Sequence, residues 1–235
     1  MNKKQIQQKI KKWQQINPNA GYTIMEGLVA MIMVAFLMSA IAPVIALSVG
    51  TRVQARRIEL ASQAATSYID WVRIDPTQNS PNLTLNNLDD APSPTSGNLE
   101  CNDGEICTTP TSAVFNDLYC IDGDGDGECT TNSVTDMVVQ GVRSAFTQNE
   151  NQGYALGVRV YRADAFQETS LCPDGTNCPD EATQQSTVTN AIGNRRLPVV
   201  EMVTDIAPAD LNGSFQNLCD RFARQEGEDP NSICP

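Results

Sequence analysis

The longest hydrophobic run in the chain extends from Gly27 to Gly50 and contains no charged residue. About 20 apolar residues are enough for a helix to cross a bilayer core of roughly 30 Å, so the pattern predicts one membrane span. A secretory signal peptide has a shorter apolar region followed by a small-residue cleavage site, and this run is too long for one. Pro43 lies inside the run. It removes a backbone hydrogen bond and should kink or loosen the helix there.

Beyond Gly50 the pattern becomes amphipathic. Apolar residues recur at steps of three, four or seven with polar residues between them, which is typical of a helix with one buried face. The apolar positions are Val53, Leu60, Ala61, Ala64, Tyr68, Trp71 and Val72. One helix is therefore predicted from about Tyr22 to Ile74, ended by Asp75 and Pro76.

The rest of the chain predicts a small sheet with long connections. Residues Pro76 to Asn98 are rich in Pro, Asn, Ser and Thr, and predict a long surface loop. Four strands are then predicted, of which the last two show clear hydrophobic alternation. They are Ala113 to Cys120, Val134 to Phe146, Tyr154 to Arg162, and Leu197 to Ile206. An amphipathic stretch, Ser214 to Gln225, predicts a short helix. The long connections favour an antiparallel sheet, and the fold class is α+β.

Charge is distributed unevenly about the apolar run. Of the 16 basic residues, the five lysines all precede the run: Lys3, Lys4, Lys9, Lys11 and Lys12. The positive-inside rule then places the N-terminus in the cytoplasm and the bulk of the chain outside it. Without the lysines the net charge changes from −12 to −17, a surface that repels nucleic acid. Arg52, Arg56 and Arg57 follow the run and form either a solvated collar or a contact with lipid headgroups or neighbouring subunits.

All eight cysteines lie in the exported part, where disulfides persist. Sequence cannot fix the connectivity, but the local choice pairs neighbours along the chain. The pairs are Cys101 with Cys107, Cys120 with Cys129, Cys172 with Cys178, and Cys219 with Cys234. Zinc is the alternative, disfavoured by the spacing and by the absence of histidine. Bridges typically contribute about 2–4 kcal/mol each, a useful supplement for a small exported domain.

Three carboxylates alternate along a short glycine-rich segment: Asp122, Asp124 and Asp126. With the following Gly127 they match the opening of a calcium loop. The twelfth position is Ser133 rather than glutamate, so Asp136 or backbone carbonyls would have to complete the shell. The segment is thus a candidate calcium site. The alternative is a Gly-Asp hairpin held by the flanking disulfide alone.

The junction between the lysine-rich leader and the apolar run reads Gly-Tyr-Thr-Ile-Met-Glu, residues 21–26. A charged residue at the centre of a membrane helix costs roughly 2.5–3.5 kcal/mol on insertion scales, so carboxylates such as Glu26 are rare in membrane segments and mark function. The alternative interpretation makes Gly21 a helix boundary and Glu26 an acid favoured by the helix dipole.

This combination of a basic leader, a glycine followed by an aromatic residue, a glutamate five residues after the glycine and a long apolar run resembles the type IV pilins and pseudopilins. The resemblance implies a long N-terminal helix packed on a small antiparallel sheet with disulfide-bridged loops. It also implies that a prepilin peptidase cuts between Gly21 and Tyr22, that the new amine is methylated, and that Glu26 is the assembly glutamate. Pro43 falls where pilins carry a helix-loosening proline.

The segments expected from this resemblance are a cleaved cytoplasmic leader, a membrane and assembly half of the helix, an amphipathic half, and an exported pilin-like domain. Their bounds are residues 1–21, 22–50, 51–75 and 76–235. The implied partners are other pilins, the prepilin peptidase and an inner-membrane assembly platform. The protein would be a single-pass protein of the plasma membrane that enters a filament after processing.

A narrower resemblance involves four runs of sequence. They are APVIALSVGTRVQARRIELASQAATSYIDWVR, LYCIDGDGDGECT, LGVRVYRADAF and GNRRLPVVEMVTDI. They are similar to the hormogonium polysaccharide secretion pseudopilins of filamentous cyanobacteria, which implies a minor subunit that supports polysaccharide export and gliding, with exopolysaccharide as a further partner. Two departures from the pilin pattern are Tyr22 in place of the commoner Phe and Asn-Ala before Gly21.

Two other functions remain open. One is an adhesive or receptor minor pilin, and the other is a membrane-anchored calcium-binding protein that never polymerises. An enzyme is not expected, because a chain without histidine has no Ser-His or Cys-His pair to activate a nucleophile.

Overall fold

The computed structural model describes residues 23–110, 118–144, 153–172, 194–207, 218, 219 and 223. These residues form an α+β fold with one long N-terminal helix, a five-stranded sheet and a two-stranded sheet, which confirms the predicted fold class. The chain divides into two compact units, Met1–Ser48 and Val49–Pro235, and the boundary falls inside the helix.

Helix α1 spans Ile24–Ile74, close to the predicted bounds, and Pro43 lies within it. The Thr23 hydroxyl accepts a hydrogen bond from the Glu26 backbone N–H at 3.2 Å, the typical contact of a helix N-cap. At the other end Asp75 stops the helix: its Oδ1 accepts hydrogen bonds from the backbone N–H groups of Thr77 and Gln78. Polar side chains next to the apolar pattern therefore fix both ends of the helix.

Seven strands follow α1 in the described residues: β1 Thr84–Leu85, β2 Cys101–Asn102, β3 Leu118–Ile121, β4 Glu128–Cys129, β5 Met137–Ser144, β6 Tyr154–Arg162 and β7 Val200–Ile206. The main sheet has the order β1-β5-β6-β7, with β3 also paired to β5, and β2 pairs with β4. All pairs are antiparallel except β1 with β5. Strand β6 has the predicted bounds, and β3, β5 and β7 lie on the other three predicted strands.

The segment predicted as a surface loop, Pro76 to Asn98, is instead partly built into the domain. It contains β1 and buries Leu83 and Ala91. The Gln140 side chain on β5 donates a 2.8 Å hydrogen bond to the Pro92 carbonyl, which ties the segment to the sheet. Its buried apolar residues stand singly among polar ones, so the sequence has no periodic signal there.

The predicted helix from Ser214 to Gln225 lies largely outside the described residues. Its described members, Leu218, Cys219 and Ala223, are helical.

The core lies between the second half of α1 and one face of the main sheet. The helix contributes small residues, Ala61, Ala64 and Ala65, all 0% exposed, so that its backbone approaches the strands closely. Tyr68 fills the space above Gly141 on β5, where a Cβ atom would overlap the tyrosine hydroxyl. Burying this stripe supplies the apolar contact that holds the helix to the sheet.

Candidate functional site

The predicted processing site, Gly21 and Tyr22, lies outside the described residues. Glu26 is exposed in the first turn of α1 and is the only charged residue of that helix before Arg52. By length and composition α1 is a candidate membrane span, and none of its most apolar 18-residue window is buried. The first half of the helix thus presents one carboxylate on an otherwise uncharged, exposed surface.

The acidic segment brings together three of the four predicted ligands. Carboxylate oxygens of Asp122, Asp124 and Asp136 lie within 4.8 Å of one another. Asp126 is not in the group, and its Oδ1 accepts a 3.0 Å hydrogen bond from the Glu128 backbone N–H. Alternation along the sequence suggested that Asp126 would be an equal member, but this carboxylate closes a local turn instead.

Asp122 organises the turn. Its Oδ1 accepts hydrogen bonds from the backbone N–H groups of Asp124 and Gly125, and its Oδ2 accepts one from Gly127. Because these bonds favour the charged form, they lower the pKa of Asp122. Gly125 and Gly127 have φ values of 88° and 91°, a region that glycine occupies without the steric cost other residues incur.

Asp136 is fully buried at the base of the same segment, just before β5. Its two oxygens accept 3.1 Å hydrogen bonds from the backbone N–H groups of Gly123 and Thr130. Burial nevertheless raises the pKa of Asp136. The Ser133 hydroxyl, 2.9 Å from Asp124 Oδ2, also accepts a hydrogen bond from the Asp136 backbone N–H, which joins the group.

Hard oxygen donors of this kind suit calcium, which takes several carboxylate, hydroxyl or carbonyl oxygens. Asp122, Asp124 and Asp136 would hold the ion, with Ser133 beside them. The ion would offset the repulsion among three neighbouring carboxylates and link the turn to the start of β5. Calcium binding at this group stays a prediction.

Two predicted disulfides are present, Cys101–Cys107 and Cys120–Cys129. Cys101 and Cys129 lie directly opposite each other in the β2–β4 pair, so the two bridges adjoin. Cys172 and Cys219 are also disulfide-bonded, and the partners predicted for them, Cys178 and Cys234, lie outside the described residues. Cysteines bonded in this way are not thiolates, which removes the zinc alternative for these six.

An arginine pair, Arg162 and Arg195, shares the Asp164 carboxylate and was not predicted as a unit. Arg162, at the end of β6, is almost fully buried and forms an ion pair with Asp164. Arg195 lies 3.8 Å from the same carboxylate and 3.2 Å from that of Glu168. The available signal was strand alternation, which places Arg162 on the same face of β6 as Tyr154, Leu156, Val158 and Val160.

Comparison of the sequence with protein-family models, with curated proteins and with solved structures finds no match. The architecture is therefore the observation that can be compared with a class of protein. A long N-terminal apolar helix continues into a half that packs on a small disulfide-bearing sheet, and this arrangement fits a pilin-like fold.

Proposed function

We propose that the protein is a minor pilin or pseudopilin of a type IV pilus-like assembly that supports polysaccharide secretion and gliding. The observation that carries the proposal is the single carboxylate of Glu26 on the exposed apolar half of α1, joined to a second half that is packed on a sheet. A helix of this kind can assemble through its first half while its second half holds a domain. The four runs similar to hormogonium pseudopilins support the secretion role.

Glu26 would act as half of an ion pair. Cleavage after Gly21 would create an amine at Tyr22, about one helical turn from Glu26. In a filament the carboxylate would pair with the terminal ammonium of a neighbouring subunit. Leaving one member of a buried pair alone costs about 3–5 kcal/mol, so only a stagger that satisfies Glu26 is tolerated. The ion pair therefore sets the register of neighbouring subunits.

Packing in the filament would come from the apolar half. Lipid tails are as apolar as the helix, so association depends on close approach at small residues, such as Gly27, Ala30 and Ala35. The same half would anchor the subunit in the plasma membrane before assembly, with its N-terminus in the cytoplasm and the sheet domain outside. The prepilin peptidase, the assembly platform and other pilins are its expected partners.

Intact-mass measurement of the mature protein is the primary test. The proposal expects a chain that begins at Tyr22 and carries one added methyl group. A mature protein that retains residues 1–21 would overturn the proposal and favour an anchored protein that never polymerises.

Glu26→Ala tests the ion pair. The variant should be cleaved and stable in the membrane but absent from purified filaments. Glu59→Ala is the matched control, because Glu59 is an exposed glutamate of the same helix beyond the apolar run. Normal incorporation of Glu26→Ala, or equal loss with Glu59→Ala, would contradict the mechanism.

A deletion strain separates secretion from adhesion. Loss of exported polysaccharide and gliding with pili intact is the expected result. Loss of surface attachment alone would instead assign the protein as an adhesive or receptor minor pilin.

A further inference from the structure

Strand β7, Val200–Ile206, lies at the end of the main sheet in the order β1-β5-β6-β7. It pairs with β6 along its whole length, from Val200 opposite Val160 to Ile206 opposite Tyr154. Among the described residues no strand pairs with its other edge. In an antiparallel edge strand every second residue directs its N–H and C=O groups away from the sheet. Strand β7 therefore offers backbone hydrogen-bonding groups to a further strand.

The side chains of the same strand are incompletely covered. Val203, in the middle of β7, is 60% exposed. On the opposite face Val200 and Met202 pack against the core between α1 and the sheet, yet both stay partly exposed. The residues paired with them on β6, Val158 and Val160, are fully covered. A strand beside β7 would cover apolar surface on both faces of the sheet.

The usual protections of an edge strand are weak in β7. Such strands are commonly blocked by proline, lysine, a bulge or a very short length. Strand β7 has seven residues in a continuous register with β6, and none of them is glycine, proline or lysine. Its charged residues are Glu201 and Asp205, which lie on either side of Val203 on one face of the sheet. The protection that remains is negative charge.

Negative charge selects the partner of this edge. If two copies of β7 paired antiparallel about Val203, Glu201 of each copy would face Asp205 of the other, and like charges directly opposite each other are destabilising. Outside the leader the chain has 11 arginines and 28 acidic residues, a net charge of −17, so two copies also repel at longer range. Glu201 is bonded to Arg159 at 2.6 Å, but its side chain is 27% exposed and can still be reached by a second cation. An edge that repels its own copies and attracts basic residues is specific for a different chain.

We propose that β7 binds an extended segment of a different protein chain, which adds a strand to the sheet and places basic residues opposite Glu201 and Asp205. Backbone hydrogen bonds would supply the affinity, and the alternating side chains would supply the specificity. The inference rests on the proposed function only in naming a neighbouring subunit of the assembly as that chain. Cleavage after Gly21 and pairing of Glu26 do not involve β7, so the two proposals can fail separately.

A capped, labelled peptide with the sequence TRVVIRT tests the edge, with the full chain solubilised in detergent and fluorescence anisotropy as the readout. When the peptide lies antiparallel to β7, its two arginines fall opposite Glu201 and Asp205, and its central valine falls opposite Val203. Saturable binding is the expected result. Replacing both arginines of the peptide by glutamate should weaken binding by about tenfold. Absence of saturable binding, or equal binding of the glutamate peptide, would overturn the proposal.

N-methylation of the peptide separates backbone pairing from charge. In a paired strand the amide groups face the neighbouring strand and the solvent alternately. One version of the arginine peptide is methylated on its odd-numbered amides and a second version on its even-numbered amides. One of the two should bind about tenfold more weakly than the unmethylated peptide, because its hydrogen bonds to β7 are removed, while the other should bind as before. Equal affinity of the two versions would show that the peptide is held by charge alone and would contradict strand addition.

Val203→Lys tests the position on the protein. The lysine would repel the arginines of the peptide and remove an apolar contact, so binding should weaken by about tenfold. Val134→Lys is the matched control, because Val134 is 55% exposed in a different segment, and it should leave binding unchanged. The same loss in both variants would place the peptide elsewhere on the domain.

Analytical ultracentrifugation of the full chain in detergent, without peptide, examines the other possible occupant of the edge, a second copy of the chain. The expected result is a state of association that Val203→Lys does not change. A dimer that Val203→Lys abolishes would show that a second copy covers β7 and would overturn the assignment to a different chain.

Discussion

The two halves of α1 share one backbone and have opposite surroundings. In the first half apolar side chains are exposed on every side: Phe36, Leu37 and Met38 are consecutive and each at least 64% exposed. In the second half the buried residues recur every three or four positions, from Ala61 to Val72. The pattern of side chains, rather than helix propensity, therefore decides what covers each half. A continuous apolar surface favours lipid, and a single apolar stripe favours packing on a sheet.

The largest effect should come from placing a carboxylate in the packed half. Ala64→Asp would bury an unpaired charge at a position that is 0% exposed, and the domain should lose cooperative unfolding. Ala35→Asp is the counterpart in the exposed half. It should leave the near-UV circular dichroism of the domain intact while costing about 2.5–3.5 kcal/mol in membrane insertion. A folded Ala64→Asp domain would contradict the packing of this half.

Removing the largest buried side chain of the second half should have the next largest effect. Tyr68→Ala opens a cavity between α1 and the sheet and should lower the free energy of unfolding by about 3–5 kcal/mol. Urea unfolding of the full chain in detergent, followed by near-UV circular dichroism, measures it. Thr66→Ala, on the exposed face of the same turn, should change it by less than about 0.5 kcal/mol. Equal changes in the free energy of unfolding for Tyr68→Ala and Thr66→Ala would contradict the packing of the Tyr68 face on the sheet.

The disulfides should stabilise the domain without affecting α1 in the membrane. Loop entropy predicts that Cys120→Ser/Cys129→Ser lowers the free energy of unfolding by about 2–3 kcal/mol. Cys101→Ser/Cys107→Ser closes a shorter loop, with a separation of 6 rather than 9 residues, and should cost slightly less. The same urea experiment compares the pairs, and membrane insertion should not change for either. A larger loss from the shorter loop would rule out loop entropy as the cause.

Calcium should have the smallest effect, confined to the domain. With a dissociation constant near 0.1 mM, about 1 mM calcium would stabilise the fold by about 1.4 kcal/mol. Asp122→Asn should abolish the rise in melting temperature, whereas Asp126→Asn should keep it, because Asp126 lies outside the carboxylate group. A melting temperature unaffected by calcium or chelator would favour the hairpin held by its disulfide alone.

Regular patterns made most of this fold predictable. The bounds of α1 and β6 follow from unbroken periodicity and from Asp75 and Pro76 as a stop. The segment after the helix was less accessible, because the burial of Leu83 and Ala91 depends on which strand lies beside them and not on any local repeat. Strand β1, which pairs parallel with β5, could not be predicted either, because a two-residue strand has too few positions for a pattern.

The site residues were likewise predictable where they lie close together in the sequence and not where folding brings them together. Asp122 and Asp124 were predictable because they lie only two positions apart in the sequence. Asp126 does not join their carboxylates because it accepts a hydrogen bond that only the folded turn supplies. Arg162 and Arg195 come from separate elements and meet at the Asp164 carboxylate, and no sequence rule brings such residues together. Their meeting depends on the tertiary packing.

The contact between Tyr68 and Gly141 has a mechanical consequence. The tyrosine occupies a notch in the sheet whose flanks on the same strand face are Val139 and Arg143. A slip of the helix along its axis by one residue, about 1.5 Å, would drive the ring against one flank. In the proposed filament, a subunit pulled by its helix and held by its sheet would bear load in that direction. The notch would then act as a stop that transmits tension from helix to sheet without sliding.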